Sequence, residues 1–202
     1  MILAFDTSTA ACTAALFDAS GTCIARKDEL IGRGHSERLV PMLAELLAGR
    51  RAEQIVVGVG PGSFTGIRVG IAAAHGLGIG WDAELLGISS LALLAAGVDD
   101  EDGVAAAVLG GHGELFVQEF DSEARPTSEL RNVVPVRAAL CTSCRLVVGS
   151  GARQLVEARG SGEAREGWPS AANALMVPLP QRSLPAKPVY ARAPDARAME
   201  AA

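Results

Sequence analysis

Asp6-Thr7-Ser8-Thr9 stands where the first apolar run, Ile2 to Asp6, gives way to polar residues. Hydroxyls and backbone donors at such a turn can solvate phosphate oxygens, and a carboxylate there can hold a cation through water. The competing reading is a polar turn whose side chains satisfy its own backbone. A second candidate is the loop Gly60-Pro-Gly-Ser-Phe-Thr-Gly66. It is not a Walker loop, because no Gly-Lys-Ser/Thr occurs in the chain. It also misses the dinucleotide fingerprint, since Ser63 and Thr65 occupy the positions its last glycine would need. Glycines ahead of a helix could still cup an anion. The reading adopted here is structural: Gly60, Pro61, Gly62, Ser63 and Gly66 build a tight strand-to-helix turn that needs glycine dihedrals.

Other constellations that do chemistry are missing from the sequence. His35, His75 and His112 are too far apart to make a local metal motif, and no glycine-flanked serine elbow is present. Cys141-Thr-Ser-Cys144 has zinc-knuckle or redox spacing, but a tetrahedral site needs two further ligands. No second such pair, and no closely spaced histidine pair, offers them. No catalytic residue and no metal ligand is therefore assigned.

Charge and composition narrow the field further. A net charge of −5 is unlike the basic footprint of a protein that grips nucleic acid alone. The opening Met1-Ile-Leu-Ala-Phe-Asp6 reads as a buried strand and not as a signal peptide. No stretch approaches the ~18 uninterrupted apolar residues of a membrane span. The expectation is a cytoplasmic protein without a membrane partner and, in a reducing compartment, without disulfides.

These residues must be positioned by alternating elements. Ile2 to Asp6, Cys12 to Asp18 and Thr22 to Arg26 read as a three-stranded meander with a turn at Asp18-Ala-Ser-Gly21. Ser36 to Leu47 takes helical period, with a kink or a late start expected from Pro41. Gln54 to Val59 is a parallel strand, Thr65 to Gly80 a helix, Leu85 to Ile88 a strand and Ser89 to Ala96 a capped helix. The acidic run Asp99-Asp-Glu-Asp102 marks a boundary, giving segments 1–98 and 99–202. Beyond it, Val104 to Leu109, Glu114 to Asp121 and Arg131 to Val136 repeat the strand-rich opening. Arg145 to Gly151 followed by Ala152 to Arg159 echoes the earlier strand, glycine loop and helix. Residues from Gly160 to Leu184 read as loops with at most one short helix.

The two long helices also suggest a partner surface. On a wheel of 100° per residue, apolar residues of the first helix span an arc of about 160°, wider than the ~100° needed to cover one core. The excess points to Leu39, Met42 and Leu46 as a second packing face. On the second helix, Arg68, Ile71, Ala72, His75 and Ile79 make a mixed apolar and polar face of the kind found in non-obligate interfaces.

Taken together, Ile2-Leu-Ala-Phe-Asp-Thr-Ser-Thr9, His35-Ser-Glu-Arg-Leu-Val-Pro41 and Val57-Gly-Val-Gly-Pro-Gly-Ser-Phe-Thr-Gly-Ile-Arg-Val-Gly-Ile71 resemble the TsaB (YeaZ) family, in order and spacing. Gly87-Ile-Ser-Ser-Leu91 and Pro188-Val-Tyr-Ala-Arg192 also fit; the match is strong over residues 1–96 and thin afterwards. The resemblance implies an α/β fold of the actin-like, sugar-kinase and Hsp70 (ASKHA) type, with two related βββαβα lobes, the second reduced. In that fold the hairpin at Asp6, Thr7, Ser8 and Thr9 would be a vestigial nucleotide site.

The resemblance further implies a non-catalytic subunit that pairs with its catalytic paralogue TsaD and works with the ATPase TsaE. The reaction it implies is threonylcarbamoylation of adenosine 37 in tRNAs reading codons that begin with A. It implies pairing through the two helices, a homodimer when alone and contact with tRNA only through the complex. No cofactor of its own is implied, ATP or ADP entering only in the assembled complex. The paired-histidine metal motif of the catalytic paralogue is absent from this sequence. Two departures stand out, a short connection at Gly49-Arg-Arg-Ala-Glu53 and Gly110-Gly-His-Gly-Glu114 in place of a more charged stretch. The alternative is an ATP-dependent phosphotransferase or a peptidase of the same fold. A kinase needs acid, base and phosphate clamps from both lobes, and the second lobe offers only Gly149-Ser-Gly151.

Overall fold

A computed structural model describes residues 1–190. The chain opens as the meander β1 (Ile2–Asp6), β2 (Ala11–Phe17) and β3 (Cys23–Leu30), then alternates: α1 (His35–Leu47), β4 (Gln54–Gly58), α2 (Phe64–Trp81), β5 (Glu84–Ile88) and α3 (Ser90–Ala95). The second half repeats the series as β6 (Val104–Leu109), β7 (Leu115–Phe120), β8 (Arg131–Val133), α4 (Pro135–Leu140), β9 (Leu146–Val148), α5 (Ala152–Arg159) and β10 (Glu163–Arg165), with a late α6 (Leu179–Arg182).

The first sheet has the order β3-β2-β1-β4-β5 and the second β10-β9-β6-β7-β8. Read from the other edge, the second order matches the first strand for strand. The pairings repeat too: β1 is antiparallel to β2 and parallel to β4, as β6 is antiparallel to β7 and parallel to β9. This doubled βββαβα topology is the ASKHA-type fold.

Burial follows from where each strand sits. The central strands β1 and β4 are covered on both faces, which is why Leu3, Ala4, Phe5, Ile55, Val56 and Val57 form unbroken apolar runs. One apolar layer lies between the sheets, where Phe17, Val56 and Ile88 of the first meet Val104, Phe120 and Leu146 of the second and Leu91 of α3. A second layer packs α1 and α2 on the outer side of the first sheet, and a third packs α4 and α5 on the second. Among the described residues no helix is long and apolar enough to cross a membrane.

Several boundaries differ from those read in the sequence. α1 begins at His35 and runs through Pro41, so it does not start late. β3 extends to Leu30, because the edge ladder with β2 continues through alternating residues as far as the pair Ala11 and Leu30. β8 stops at Val133, since Pro135 lacks an N–H and instead opens α4. The region expected to be loops contains β10, three exposed residues without any periodic signal, paired to β9.

From Ser170 onward the chain returns to the first sheet. Ser170 Oγ donates to Asp28 at 2.9 Å and the Ala171 N–H donates to Thr13 Oγ1 at 2.8 Å. Leu184 exchanges backbone hydrogen bonds with Gly87 at 2.6 and 3.0 Å, and the Val189 N–H donates to the Val59 carbonyl at 2.9 Å. Ala191 and Arg192, the end of the last family-like string, lie outside the described residues.

Candidate functional site

Asp6 ends β1 beneath the amino terminus of α2 and is fully buried, as are Thr7 and Ser8. Its Oδ1 accepts from the Ser8 N–H at 2.8 Å and from Ser8 Oγ at 2.7 Å, and its Oδ2 accepts from Ser90 Oγ at 2.5 Å. Burial raises its pKa, and the hydrogen bonds from Ser90 and Ser8 oppose that shift. Ser90 Oγ in turn accepts from the Gly60 N–H at 3.2 Å, and the Ser90 N–H donates to the Gly60 carbonyl at 2.9 Å. One carboxylate thus ties β1, the glycine loop and α3 together.

Its neighbours are engaged in the same way. Thr7 Oγ1 donates to the Gly66 carbonyl at 2.7 Å, and Thr9 Oγ1 accepts from the Ala11 N–H at 3.2 Å. The Ser63 N–H donates to the Ser8 carbonyl at 2.6 Å, while Ser63 Oγ caps α2 by accepting from the Gly66 N–H at 3.2 Å. The oxygens of Asp6, Thr7, Ser8 and Thr9 thus take part in the fold's own hydrogen bonds, as a polar turn's would, while Ser8 and Thr9 also line a cleft. Deleting the Ser90 hydroxyl should test this. Ser90→Ala strips one buried carboxylate oxygen and the Gly60 N–H of their shared partner, an expected loss of about 2–3 kcal/mol in denaturant unfolding.

The loop is glycine-rich because the hairpin touches it. A Cβ at Gly62 would lie 2.1 Å from the Ser8 carbonyl oxygen, and one at Gly66 would lie 2.0 Å from that of Thr7. Gly60 also takes φ of 97°, in the left-handed region that favours glycine. Gly60, Pro61, Gly62, Ser63 and Gly66 accordingly form the structural turn expected of them.

Between the two halves lies a cleft of about 1160 Å³. The turns after β1, β3 and β4 line it on one side, and β6 with the tip Gly110-Gly-His-Gly113 on the other. His35, at the start of α1, is buried there with Nε2 3.2 Å from the Ala11 carbonyl oxygen. His112 sits at the tip with φ of 58°.

The outer side of α1 and α2 divides differently from the expectation. Leu39 and Met42 are fully buried, and Leu46 and Ile71 nearly so, all in the core beneath the helices. These four residues are corrected from partner face to core. The wide arc on α1 has an intramolecular cause: the helix packs on β2, β3 and α2 together, so one stripe must cover three neighbours. Arg68, Ala72, His75 and Ile79 are exposed as expected, Ile79 at 85%. Arg68, however, leans back over Phe64 and bonds Tyr190, away from the other three. On α1 the exposed residues are Ser36, Glu37 and Glu45, which are polar, and Val40, Pro41 and Ala44, which are apolar. Val40, 62% exposed, sits at the end of the apolar arc and could have been separated from the core residues by that position.

The cysteine pair has a structural setting. Glu119, buried behind it, accepts from the backbone N–H groups of Ser143 and Cys144 and holds the turn closed. Burial, reinforced by Glu119, pushes the Cys144 thiol up to about 12, so it stays protonated and unreactive at neutral pH. Among the described residues no three His, Cys, Asp or Glu side chains are grouped so as to hold a metal ion.

Comparison with known proteins agrees with this architecture. The family model described as "TsaD: tRNA N6-adenosine threonylcarbamoyltransferase" matches residues 28–135. The chain is 38% identical over 130 residues to the tRNA threonylcarbamoyladenosine biosynthesis protein TsaB of Escherichia coli K12, covering 60% of this chain and 55% of that protein. It is 36% identical over 131 residues to the protein of the same name from Haemophilus influenzae, covering 60% and 54%. The chain thus spans about half the length of the curated relatives it matches. Among solved structures, YeaZ from Pseudomonas aeruginosa is 28% identical with a TM-score of 0.78, covering 94% of this chain and 99% of that one. A second Pseudomonas aeruginosa structure, described as similar to peptidase YEAZ, is 29% identical with a TM-score of 0.81, covering 95% and 99%. With that family model spanning more than half of its length, and with TsaB and YeaZ proteins as its relatives in sequence and structure, the chain belongs to the TsaD-type family in its TsaB (YeaZ) branch.

Proposed function

We propose that this chain is a non-catalytic subunit of the machinery that makes threonylcarbamoyladenosine in tRNA. It docks on TsaD and, together with TsaE, supports threonylcarbamoylation of adenosine 37 in tRNAs that read codons beginning with A. The names of its relatives place them in threonylcarbamoyladenosine biosynthesis. The observation that carries the reading is the outer side of α1 and α2. Val40, Pro41 and Ala44 on one helix and Ala72, His75 and Ile79 on the other are exposed, and the two helices pack side by side.

These six residues are small or apolar but for His75, and Glu37 and Glu45 are exposed beside them on α1, the mixture found in interfaces that form between independently folded partners. A paralogue with the same doubled fold would offer a matching helix pair, giving a four-helix contact. A second copy of this chain would meet the same requirement, so a homodimer forms in isolation and competes with the heterodimer. The buried, hydrogen-bonded carboxylate of Asp6 is held for the fold and kept from substrate, which suits a supporting role. The complex works in the cytoplasm, with ATP or ADP entering only once it is assembled.

Mixing the purified chain with TsaD of the same organism should give a single heterodimer peak in size-exclusion chromatography. Separate elution of the two proteins at micromolar concentration would overturn the proposal.

A further inference from the structure

Among the described residues the walls of the cleft carry no carboxylate, in a chain of net charge −5. Arg33, Arg68, His35 and His112 line it instead, and among the described residues neither arginine enters an ion pair. At the mouth, the Arg68 guanidinium lies over the Phe64 ring, 3.3 Å from its centroid, and Arg68 Nε donates to the Tyr190 hydroxyl at 3.2 Å. The Phe64 and Tyr190 rings are 5.8 Å apart and inclined at 32°. Among the described residues both rings stay open, at 56% and 50% exposure.

Fastening the last described residues to α2 accounts for the hydrogen bond but not for the open rings, because an apolar ring left half in water gains little of its burial energy. Two aromatic faces and a guanidinium plane beside an anion-favouring cleft match a ligand that joins planar bases to a negative backbone. The cleft, at about 1160 Å³, stands just above the ~300–1,000 Å³ typical of small-ligand pockets.

We propose that Phe64, Arg68 and Tyr190 form a stacking platform for an unpaired nucleotide of an RNA strand, whose phosphates run along Arg33 and His112. This rests on the reading of the chain as part of a tRNA-modifying complex, and it makes the contact between this subunit and the RNA direct.

A short fluorescent single-stranded RNA, titrated with the isolated chain at low salt and read by anisotropy, tests the platform. Arg68→Glu and the double variant Phe64→Ala/Tyr190→Ala should each weaken binding about tenfold or more. Tyr190→Phe, which keeps the ring and loses only the hydroxyl, should bind like the native chain. Ile79→Asp should also keep RNA binding while losing the docking partner, so failure of the platform and failure of the subunit reading are separate results. Circular dichroism checks each fold, and if Arg68→Glu does not fold, the contrast between Tyr190→Phe and Tyr190→Ala decides. Equal binding by all variants, or no binding by the native chain, would overturn the platform. So would displacement of the RNA by ATP that binds the same residues more tightly, which would mark a mononucleotide pocket.

Discussion

Replacing Gly66 by alanine should lower the unfolding free energy by about 3 kcal/mol or more, at the upper end for overpacking. The added Cβ would lie 2.0 Å from the Thr7 carbonyl oxygen and 3.1 Å from its carbon, both backbone atoms. Neither side can yield easily. Thr7 Oγ1 already donates to the Gly66 carbonyl, the Ser63 N–H donates to the Ser8 carbonyl, and Asp6 is held by Ser8 and Ser90. Relief therefore requires α2 to part from the end of β1, breaking these bonds together. The preference of helices for alanine over glycine works the other way, but by only ~1 kcal/mol. Gly76→Ala supplies the control, because nothing lies within 4 Å of a Cβ there. It should be neutral or stabilising by up to ~1 kcal/mol. Similar denaturation midpoints for the two variants would show that the glycine loop is not wedged against the hairpin.

Ile79→Asp should leave the monomer folded and raise the dissociation constant for TsaD at least about a hundredfold. Ile79 is 85% exposed, and surface changes of this kind shift stability by only about ±0.5 kcal/mol. In the docked state the same carboxylate would be buried between helices without a counter-charge, a cost of about 3–5 kcal/mol. Each 1.4 kcal/mol is a factor of ten in affinity. Ala72→Arg, two helical turns nearer the amino terminus on the same stripe, should act alike, and both should also dissolve the homodimer. Met42→Asp should behave in the opposite manner and unfold the chain, since Met42 is fully buried against the first sheet. Circular dichroism with sedimentation velocity distinguishes the two classes. Native affinity in folded Ile79→Asp and Ala72→Arg variants would move the interface elsewhere.

How much of this was legible beforehand depended on the kind of signal. The alternation of strands and helices through Ala96 could be read because β1, β4 and α1 carry strong apolar periods and Ser89 stands at a cap position, whereas the Ser63 cap of α2 was read only as part of a loop. The repetition in the second half was visible in outline, while β10 was not, because Glu163–Arg165 is an exposed three-residue edge held only by pairing. The role of the Asp6 hairpin could not be read locally. Its partners, Gly66 and Ser90, lie 59 and 84 residues away in sequence, and only the fold brings them together. The helix wheel identified the exposed stripe of α2 correctly at Ala72, His75 and Ile79. It failed on Leu39, Met42, Leu46 and Ile71, because a wheel gives the width of an apolar arc and says nothing of how many neighbours it must cover. Nothing in the sequence paired Phe64 and Arg68 with Tyr190, 122 residues beyond Arg68.

The subunit reading is tested most directly by assaying threonylcarbamoylation of unmodified tRNA with this chain, TsaD and TsaE, each alone and in combination, with ATP and a threonylcarbamoyl donor supplied. The expected result is no transfer by this chain alone, robust transfer when it joins TsaD and TsaE, and loss of that transfer when Ile79→Asp replaces the native chain. Transfer by the isolated chain, or undiminished transfer by TsaD and TsaE without it, would contradict the account.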